Sequence, residues 1–261
     1  MTHPVMADYL RTLSSHTGPG LAPLPLEACA DMLGLDGLGL LLAPGDSRGE
    51  LVQSFGERTL ALEDLQQVQG QGPSLDAARN GALILLPDVA DTSAFATARW
   101  PGLPGAMEPL GVRAVFAFPL RIGVIALGAL TGHRTRPGPM STGQLTDALG
   151  LADTIAQIAI TTAAHTEQPY TPLLDEPGLH FAEVHQATGM LADQLATDCD
   201  HALIRLRGYA FSHDRPLLDV ARDVLARRLR LDADGDDADG DDGDGYDGDG
   251  YDGDGDGDGS T

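Results

Sequence analysis

The sequence predicts an α+β sandwich, an antiparallel sheet with flanking helices, followed by an all-α three-helix bundle and a disordered acidic tail. Five short strand-like runs, joined by turns or by single helices, predict the sheet. Three later runs with apolar residues three and four positions apart predict the bundle. The last thirty residues alternate Asp and Gly and have almost nothing to bury, so they should be disordered.

The length and the position of the prolines predict two folded units. A chain of 261 residues with an unfolded tail has room for one medium domain and one small one. Prolines at 169, 172 and 177 indicate an extended linker between them. The predicted boundaries are 1–24 for an N-terminal helix and linker, 25–165 for the first domain, 166–180 for the linker, 181–231 for the helical domain and 232–261 for the tail.

The helices of the first domain follow from apolar residues at helical spacing. They are predicted at 2–16, 26–33, 59–68 and 141–164, with a broken helix at 99–110. Gly34 ends the second run as a C-terminal glycine, and the Gly/Pro cluster at 70–73 ends the third. Pro101 interrupts the broken helix, and Ser141 is a suitable N-cap for the long last one.

The strands follow from short apolar or alternating runs between turn residues. They are predicted at 38–43, 50–55, 82–86, 114–120 and 124–131. The turn residues at 44–49 join the first two strands as a hairpin, and the connection at 121–123 has hairpin length as well. Because every other connection contains a helix, the sheet should be antiparallel.

Three helical runs follow the linker. The run at 181–195 has an amphipathic apolar face, and Thr197 with Asp200 gives a capping-box-like start to a second helix. Pro216, which is tolerated in the first turn of a helix, opens a third. Together these helices can form a small core.

The distribution of charge separates the tail from the rest of the chain. The formal net charge is −23, and all 16 basic residues are Arg. Residues 232–261 contain 14 Asp and no basic residue, so the preceding 231 residues carry −9. Within 201–231, seven Arg stand against three Asp, which makes this the basic segment of the chain.

Composition excludes several function classes. Without lysine, the chain cannot form a GxxxxGK phosphate loop, a lysine Schiff base or a lysine-dependent kinase site. Cys29 and Cys199 match no metal or redox spacing, and no nucleophile with a base emerges, so we expect no catalysis, metal or cofactor. No run approaches the roughly 18 to 20 apolar residues of a membrane helix, and no signal pattern begins the chain. We therefore expect a cytoplasmic protein without a membrane partner.

Four segments of the first domain resemble a known family. They are QGPSLDA at 71–77, RWP at 99–101, GVRAVFAFPL at 111–120 and the strand at 123–128. Together they resemble the GAF domains that precede ANTAR domains in actinobacterial regulators, and the resemblance covers roughly residues 25–165. It implies a sensory domain whose sheet helps to enclose a pocket for an unidentified small-molecule or protein signal.

The segment from Val184 to Leu231 closely resembles the ANTAR domain over nearly its full length. The matching positions are Gln186, Ala187 and Gly189 in the first helix, Ala202, Leu206, Arg207 and Ala210 in the second, and Arg215, Leu218, Val220 and Ala221 in the third. Thr188 stands where many family members carry a lysine. The resemblance implies that the segment binds tandem RNA hairpins in the leader of a nascent transcript and prevents a terminator hairpin from forming, under control of the GAF domain.

We predict RNA contacts by seven residues of this segment. They are Gln186, Thr188, Gly189, Arg205, Arg207, Arg215 and Arg222. Guanidinium groups contact phosphates bidentately and stack on unpaired bases, and a glycine lets backbone or base approach closely. A homodimer through the helix at 141–164 is the expected assembly.

Two other functions fit the same residues. The second and third helices could form a DNA-binding helix-turn-helix, because the turn at 213–215 is short. The weak local charge of +4 at 201–231 also fits a dimerisation or ligand-sensing module that binds no nucleic acid. Competition between hairpin RNA and duplex DNA separates RNA binding from DNA binding, and failure to retain any nucleic acid at low salt would favour the dimerisation or ligand-sensing module.

Overall fold

The computed structural model describes residues 4–14, 24–43, 49–91, 98–164 and 181–231. The predicted linker at 166–180 and the acidic tail at 232–261 lie outside these residues, as does part of the N-terminal segment. Among the helices described, none combines the length and apolar character needed to cross a membrane.

Five strands form one sheet. They are β1 (Gly37–Leu42), β2 (Glu50–Phe55), β3 (Ile84–Leu86), β4 (Ala114–Ile122) and β5 (Ile125–Arg134). The spatial order is β2-β1-β5-β4-β3, and every neighbouring pair is antiparallel. The predicted antiparallel sheet is thereby confirmed, and the two-residue turn at Gly123 and Val124 makes the β4–β5 hairpin.

Six helices lie wholly within the described residues of the same part of the chain. They are α1 (Pro4–Ser14), α2 (Leu26–Leu33), α3 (Thr59–Gln69), α4 (Pro73–Asn80), α5 (Leu103–Met107) and α6 (Thr142–Ala164). All but α4 lie where the sequence predicts helical structure. Gly70, with φ of 66°, ends α3 within the predicted Gly/Pro cluster, whereas Pro73 of the same cluster begins α4, because proline is tolerated at the first helical position, where no intrahelical N–H bond is needed. Gly81, with φ of 61°, ends that helix.

The two faces of the sheet bury different residues. Leu40, Phe116 and Leu130 pack with α1, α2 and α6 in one apolar cluster. Leu41 and Ala117 face the other way, where α3 and α4 cover the sheet. The strands thus alternate between two buried faces, and the sheet lies between two helical layers.

Two segments that carry the GAF resemblance meet in space. The Asp76 carboxylate accepts hydrogen bonds from Arg99 Nε at 2.5 Å and from Trp100 Nε1 at 3.0 Å. Gln71 Nε2 donates to the Pro101 carbonyl at 3.0 Å. QGPSLDA and RWP are therefore two halves of one hydrogen-bonded corner, with the Trp100 ring buried beside α4.

Three further helices pack against one another after the linker. They are α7 (Ala182–Gln194), α8 (Cys199–Ser212) and α9 (Leu217–Leu225), called the helical bundle from here on. The N-cap of α8 is Asp198 and not Thr197 as the sequence suggested. Its carboxylate accepts from the His201 amide at 2.8 Å, which satisfies one amide that would otherwise lack a partner in the first turn.

Each bundle helix is followed by a non-glycine residue in the left-handed backbone region: Ala196, Asp214 and Arg227, with φ of 49°, 50° and 57°. This region disfavours any residue with a Cβ.

We expect Ala196→Gly to raise the free energy of unfolding by about 0.5–1 kcal/mol, because relief of that strain exceeds the added entropy of the unfolded chain. Urea denaturation measures the change. Ala192→Gly, inside α7, is the control and should lower stability by about 1 kcal/mol; a loss at both positions would contradict the strain at Ala196.

Candidate functional site

A layer of buried polar side chains lies between the sheet and the helices α3 and α4. It contains Thr59, Glu63 and Gln66 from α3, Ser74 from α4, and Thr131 and His133 from β5, and is called the polar layer from here on. All six are at most 2% exposed. Polar residues are seldom so buried unless they are paired or serve a function, so the layer is the candidate site of the α/β part.

Two glycines of β1 make room for the layer. Gly37 pairs with His133 and Gly39 with Thr131 across the antiparallel β1–β5 ladder, so all four lie on the face under α3. A Cβ at Gly37 would overlap the His133 ring and the Thr59 hydroxyl. Glycine at this position therefore gives the polar side chains their space.

Several polar atoms of the layer make no hydrogen bond of good geometry with the described residues, although the hydroxyls of Ser74 and Thr131 lie close enough to the Glu63 carboxyl group to lower its pKa. They are both carboxyl oxygens of Glu63, the hydroxyls of Ser74 and Thr131, and Nδ1 of His133. Gln66 differs, because its Oε1 accepts from the Ser74 amide at 2.8 Å and its Nε2 donates to the Leu62 carbonyl at 3.3 Å. Buried polar atoms without partners are destabilising, so a cluster of them indicates a site kept for binding.

The titration of the layer follows from its burial. Burial raises the pKa of Glu63 to about 7, although the facing hydroxyls of Ser74 and Thr131 lower it in part. Burial also lowers the pKa of His133 to about 4, with Asp36 acting to raise it and Arg58 to lower it. At neutral pH, the layer therefore offers a neutral imidazole, two hydroxyls and a carboxyl group that is about half protonated. These groups suit a small polar molecule; no cluster of metal ligands occurs in the described part of the chain.

The residues of α7 predicted to contact RNA divide between surface and core. Gln186 is exposed, and Gly189 is exposed with open space where a side chain would point. Thr188 is buried, and its hydroxyl donates to the Val184 carbonyl at 2.7 Å within the helix. The hydroxyl that stands in the lysine position is therefore turned inward.

The predicted arginines also differ in their surroundings. Arg205 is exposed on α8, whereas Arg207 is half-buried and donates to Gln67 Oε1 of α3 at 3.2 Å. Arg215 contacts Asp223 at 2.5 Å and Arg222 contacts Glu183 at 2.8 Å. The structure thus does not place the seven predicted residues on one exposed surface.

Asp223 pairs with two arginines of the basic segment, which the sequence alone does not show. Its carboxylate binds Arg215 on one oxygen and Arg228 on the other, at 2.5 and 2.6 Å. Hydrogen bonds from these two guanidinium groups lower the pKa of Asp223. The basic charge of the bundle is therefore partly balanced within the bundle itself.

The sequence contained signals for two features that the prediction missed. Glu63 and Gln66 are polar residues at helical spacing beside Leu62 in α3, and glycines alternate in β1, which together indicate a polar layer. On α8, Ile204 and Phe211 lie outside the buried stripe and are 63% and 67% exposed. They share one helix face with Gly208, which has open space beside it, so α8 has an outward apolar face next to Arg205.

No family model and no curated protein matches the chain. Several solved structures do. The GAF domain of a phosphoenolpyruvate-protein phosphotransferase from Acinetobacter is 15% identical, covers 64% of this chain and 99% of its own, and has a TM-score of 0.45. The GAF domain of the corresponding protein from Coxiella burnetii is 15% identical, and the match covers 61% of this chain and 95% of that domain, with a TM-score of 0.43. The GAF domain of the cyanobacteriochrome TePixJ is 16% identical, and the match covers 52% of this chain and 85% of that domain, with a TM-score of 0.38. All three are GAF domains.

Proposed function

We propose that this chain is a signal-responsive, RNA-binding regulator of transcription antitermination. The α/β part is a GAF-type sensory domain, and the helical bundle is an ANTAR-type unit that binds leader hairpins. The protein acts by binding and not by catalysis, as a cytoplasmic homodimer. The main support for a sensory role of the α/β part is the polar layer, where five buried polar atoms make no hydrogen bond of good geometry with the described residues.

The chemistry of the layer narrows the class of signal. The hydroxyls of Ser74 and Thr131, from α4 and β5, lie near the Glu63 carboxyl group of α3 but make no hydrogen bond of good geometry with it. A small, uncharged polar molecule can satisfy such groups without bringing a charge into an apolar interior. Binding would relieve the unpaired groups, so the bound state of the layer should be more stable than the free state.

The RNA-binding half is supported by the outward face of α8. Arg205 supplies a guanidinium group for phosphate, Phe211 an exposed ring on which an unpaired base can stack, and Gly208 space for close approach. Single-stranded loop bases are the part of an RNA hairpin that proteins read in this way. The face therefore fits hairpin loops better than the major groove of duplex DNA.

We expect Arg205→Gln to weaken binding to a tandem-hairpin RNA several-fold at low salt. Loss of one phosphate contact should also reduce the slope of log affinity against log salt by about 1. The measurement is a salt series with the full chain, using duplex DNA of the same sequence for comparison. Arg11→Gln is the matched control, because Arg11 is also an exposed arginine on a helix. Equal losses in both variants, or no binding to RNA at low salt, would overturn the proposal.

A second function is favoured by the exposure of Ile204 and Phe211. Two large apolar side chains on one face of α8 could form the contact of a ligand-gated dimer that binds no nucleic acid. In that case Phe211→Ser would shift the chain toward monomer in sedimentation, whereas an RNA-stacking role leaves the oligomeric state unchanged.

A further inference from the structure

The outer side of α3 holds the N-terminus of α9. Asp64 Oδ2 accepts from the Leu217 amide, the first of α9, at 3.1 Å. The residue in the N-cap position is Pro216, which has no side-chain group to serve this amide. A carboxylate of the α/β part thus caps a helix of the bundle, where the helix dipole favours negative charge. Burial raises the pKa of Asp64 to about 6, although the hydrogen bonds from the Leu217 and Leu218 amides lower it in part.

One turn further along α3, Gln67 joins the same two parts of the chain. Its Nε2 donates to the Gly49 carbonyl at 3.2 Å, and its Oε1 accepts from Arg207 Nη2 at 3.2 Å. Close by, Nε2 of His185 in α7 contacts the carboxylate of Glu50 in β2. Polar contacts from all three bundle helices therefore reach α3 or the strand beside it.

The helix α3 has two occupied sides. Glu63 and Gln66 belong to the polar layer, whereas their sequence neighbours Asp64 and Gln67 hold the bundle. Apolar residues of both parts, among them Leu62, share a single cluster. Because closely packed helices move as units, a shift of α3 caused on one side must be felt on the other.

We propose that α3 is a coupling helix: a change in the polar layer moves α3 and releases the helical bundle, including Arg207, from its outer side. While the bundle is docked, Arg207 is half-buried and donates to Gln67 of α3. The coupling itself is independent of RNA. Only its consequence, that release presents Arg207 to RNA, rests on the proposed function.

The docking contact is tested with charge variants of the full chain. Gln67→Arg places a second guanidinium against Arg207 and should speed hydrogen exchange of the Leu217–Leu225 amides about tenfold. Adding Arg207→Glu to this variant restores an opposite-charge contact and should return exchange to within about twofold of the wild type. Gln157→Arg, the same change on the exposed side of α6, should have no effect. Failure of the second change to restore exchange would overturn the docking contact.

The coupling is tested from the other side of α3 in the same experiment. Glu63→Gln alters the charge of the layer without touching the bundle. At pH 8 it should slow hydrogen exchange of the α9 amides at least threefold more than that of the β5 amides. The β5 amides serve as the reference because their exchange reports global opening. Cys29→Ala, a small change in the opposite apolar cluster, should change α9 and β5 amides alike. If Glu63→Gln also changes both alike, α3 does not couple the two parts. No RNA is present, so failure of RNA binding and failure of coupling are separate results.

Discussion

Glu63→Gln is expected to stabilise the chain by about 3 kcal/mol at pH 8 and to have little effect at pH 4.5. Burial raises the pKa of Glu63 from 4.5 to about 7, so the folded chain binds a proton that the unfolded chain releases between these values. Stability from this group is therefore greatest below pH 4.5 and is lost as the pH rises through 7. Each unit of difference between the folded and unfolded pKa corresponds to about 1.4 kcal/mol, so the loss of stability is about 3 kcal/mol. Glutamine stays neutral, so the variant does not lose this stability.

The measurement is urea denaturation of both proteins at pH 4.5 and pH 8. Other groups, such as His133 with its lowered pKa, contribute equally to both proteins and cancel in the difference. Glu57→Gln is the control, because Glu57 is an exposed carboxyl just before α3, and it should change stability by less than about 0.5 kcal/mol. A stability difference for Glu63→Gln that is the same at both pH values would contradict a buried, proton-binding Glu63.

Gly128→Ala should prevent folding or lower the free energy of unfolding by about 4 kcal/mol or more. Gly128 lies in β5 between Leu42 of β1 and Leu120 of β4, with φ of 153°. A Cβ there would overlap the Leu41 carbonyl oxygen, which is backbone and cannot move without breaking the central ladder. Steric overlap is thus added to an unfavourable backbone conformation.

Two other glycines separate these causes in urea denaturation. Gly138→Ala has a comparable φ of 139° but open space, so it should be destabilising only by the backbone strain, about 1–3 kcal/mol. Gly105→Ala lies in α5 with neither strain nor overlap and should be neutral or slightly stabilising. Equal effects at 138 and 128 would show that the close approach of β1 to β5 is not what requires glycine.

The sheet and most helices could be predicted because their signals are local. Alternation of apolar residues, Gly34 at the end of α2 and the turn after β4 each act within a few residues of the chain. The start of α4 could not be separated from the end of α3, because both lie in one short Gly/Pro cluster, where Gly70 ends α3 and Pro73 begins α4. The N-cap of α8 was misplaced by one residue, since Thr197 and Asp198 are both good capping residues and geometry decides between them.

The candidate site could be predicted only in part, because it depends on residues far apart in sequence. The polar layer joins α3 to β5, about 70 residues later, through a register that no local pattern reveals. The partners of the arginines were likewise hidden: Gln67 lies 140 residues from Arg207. Local charge predicted a basic segment, but which charges remain exposed is decided by packing.

The most direct test is the affinity of the wild-type chain and of Gln67→Arg for a tandem-hairpin RNA, at one low salt concentration and against duplex DNA of the same sequence. If the helical bundle binds RNA and α3 restrains it, both proteins should prefer RNA, and Gln67→Arg should bind several-fold more tightly because its bundle is released. Equal affinities would contradict restraint by α3, and the absence of any preference for RNA in both proteins would contradict RNA recognition by the bundle.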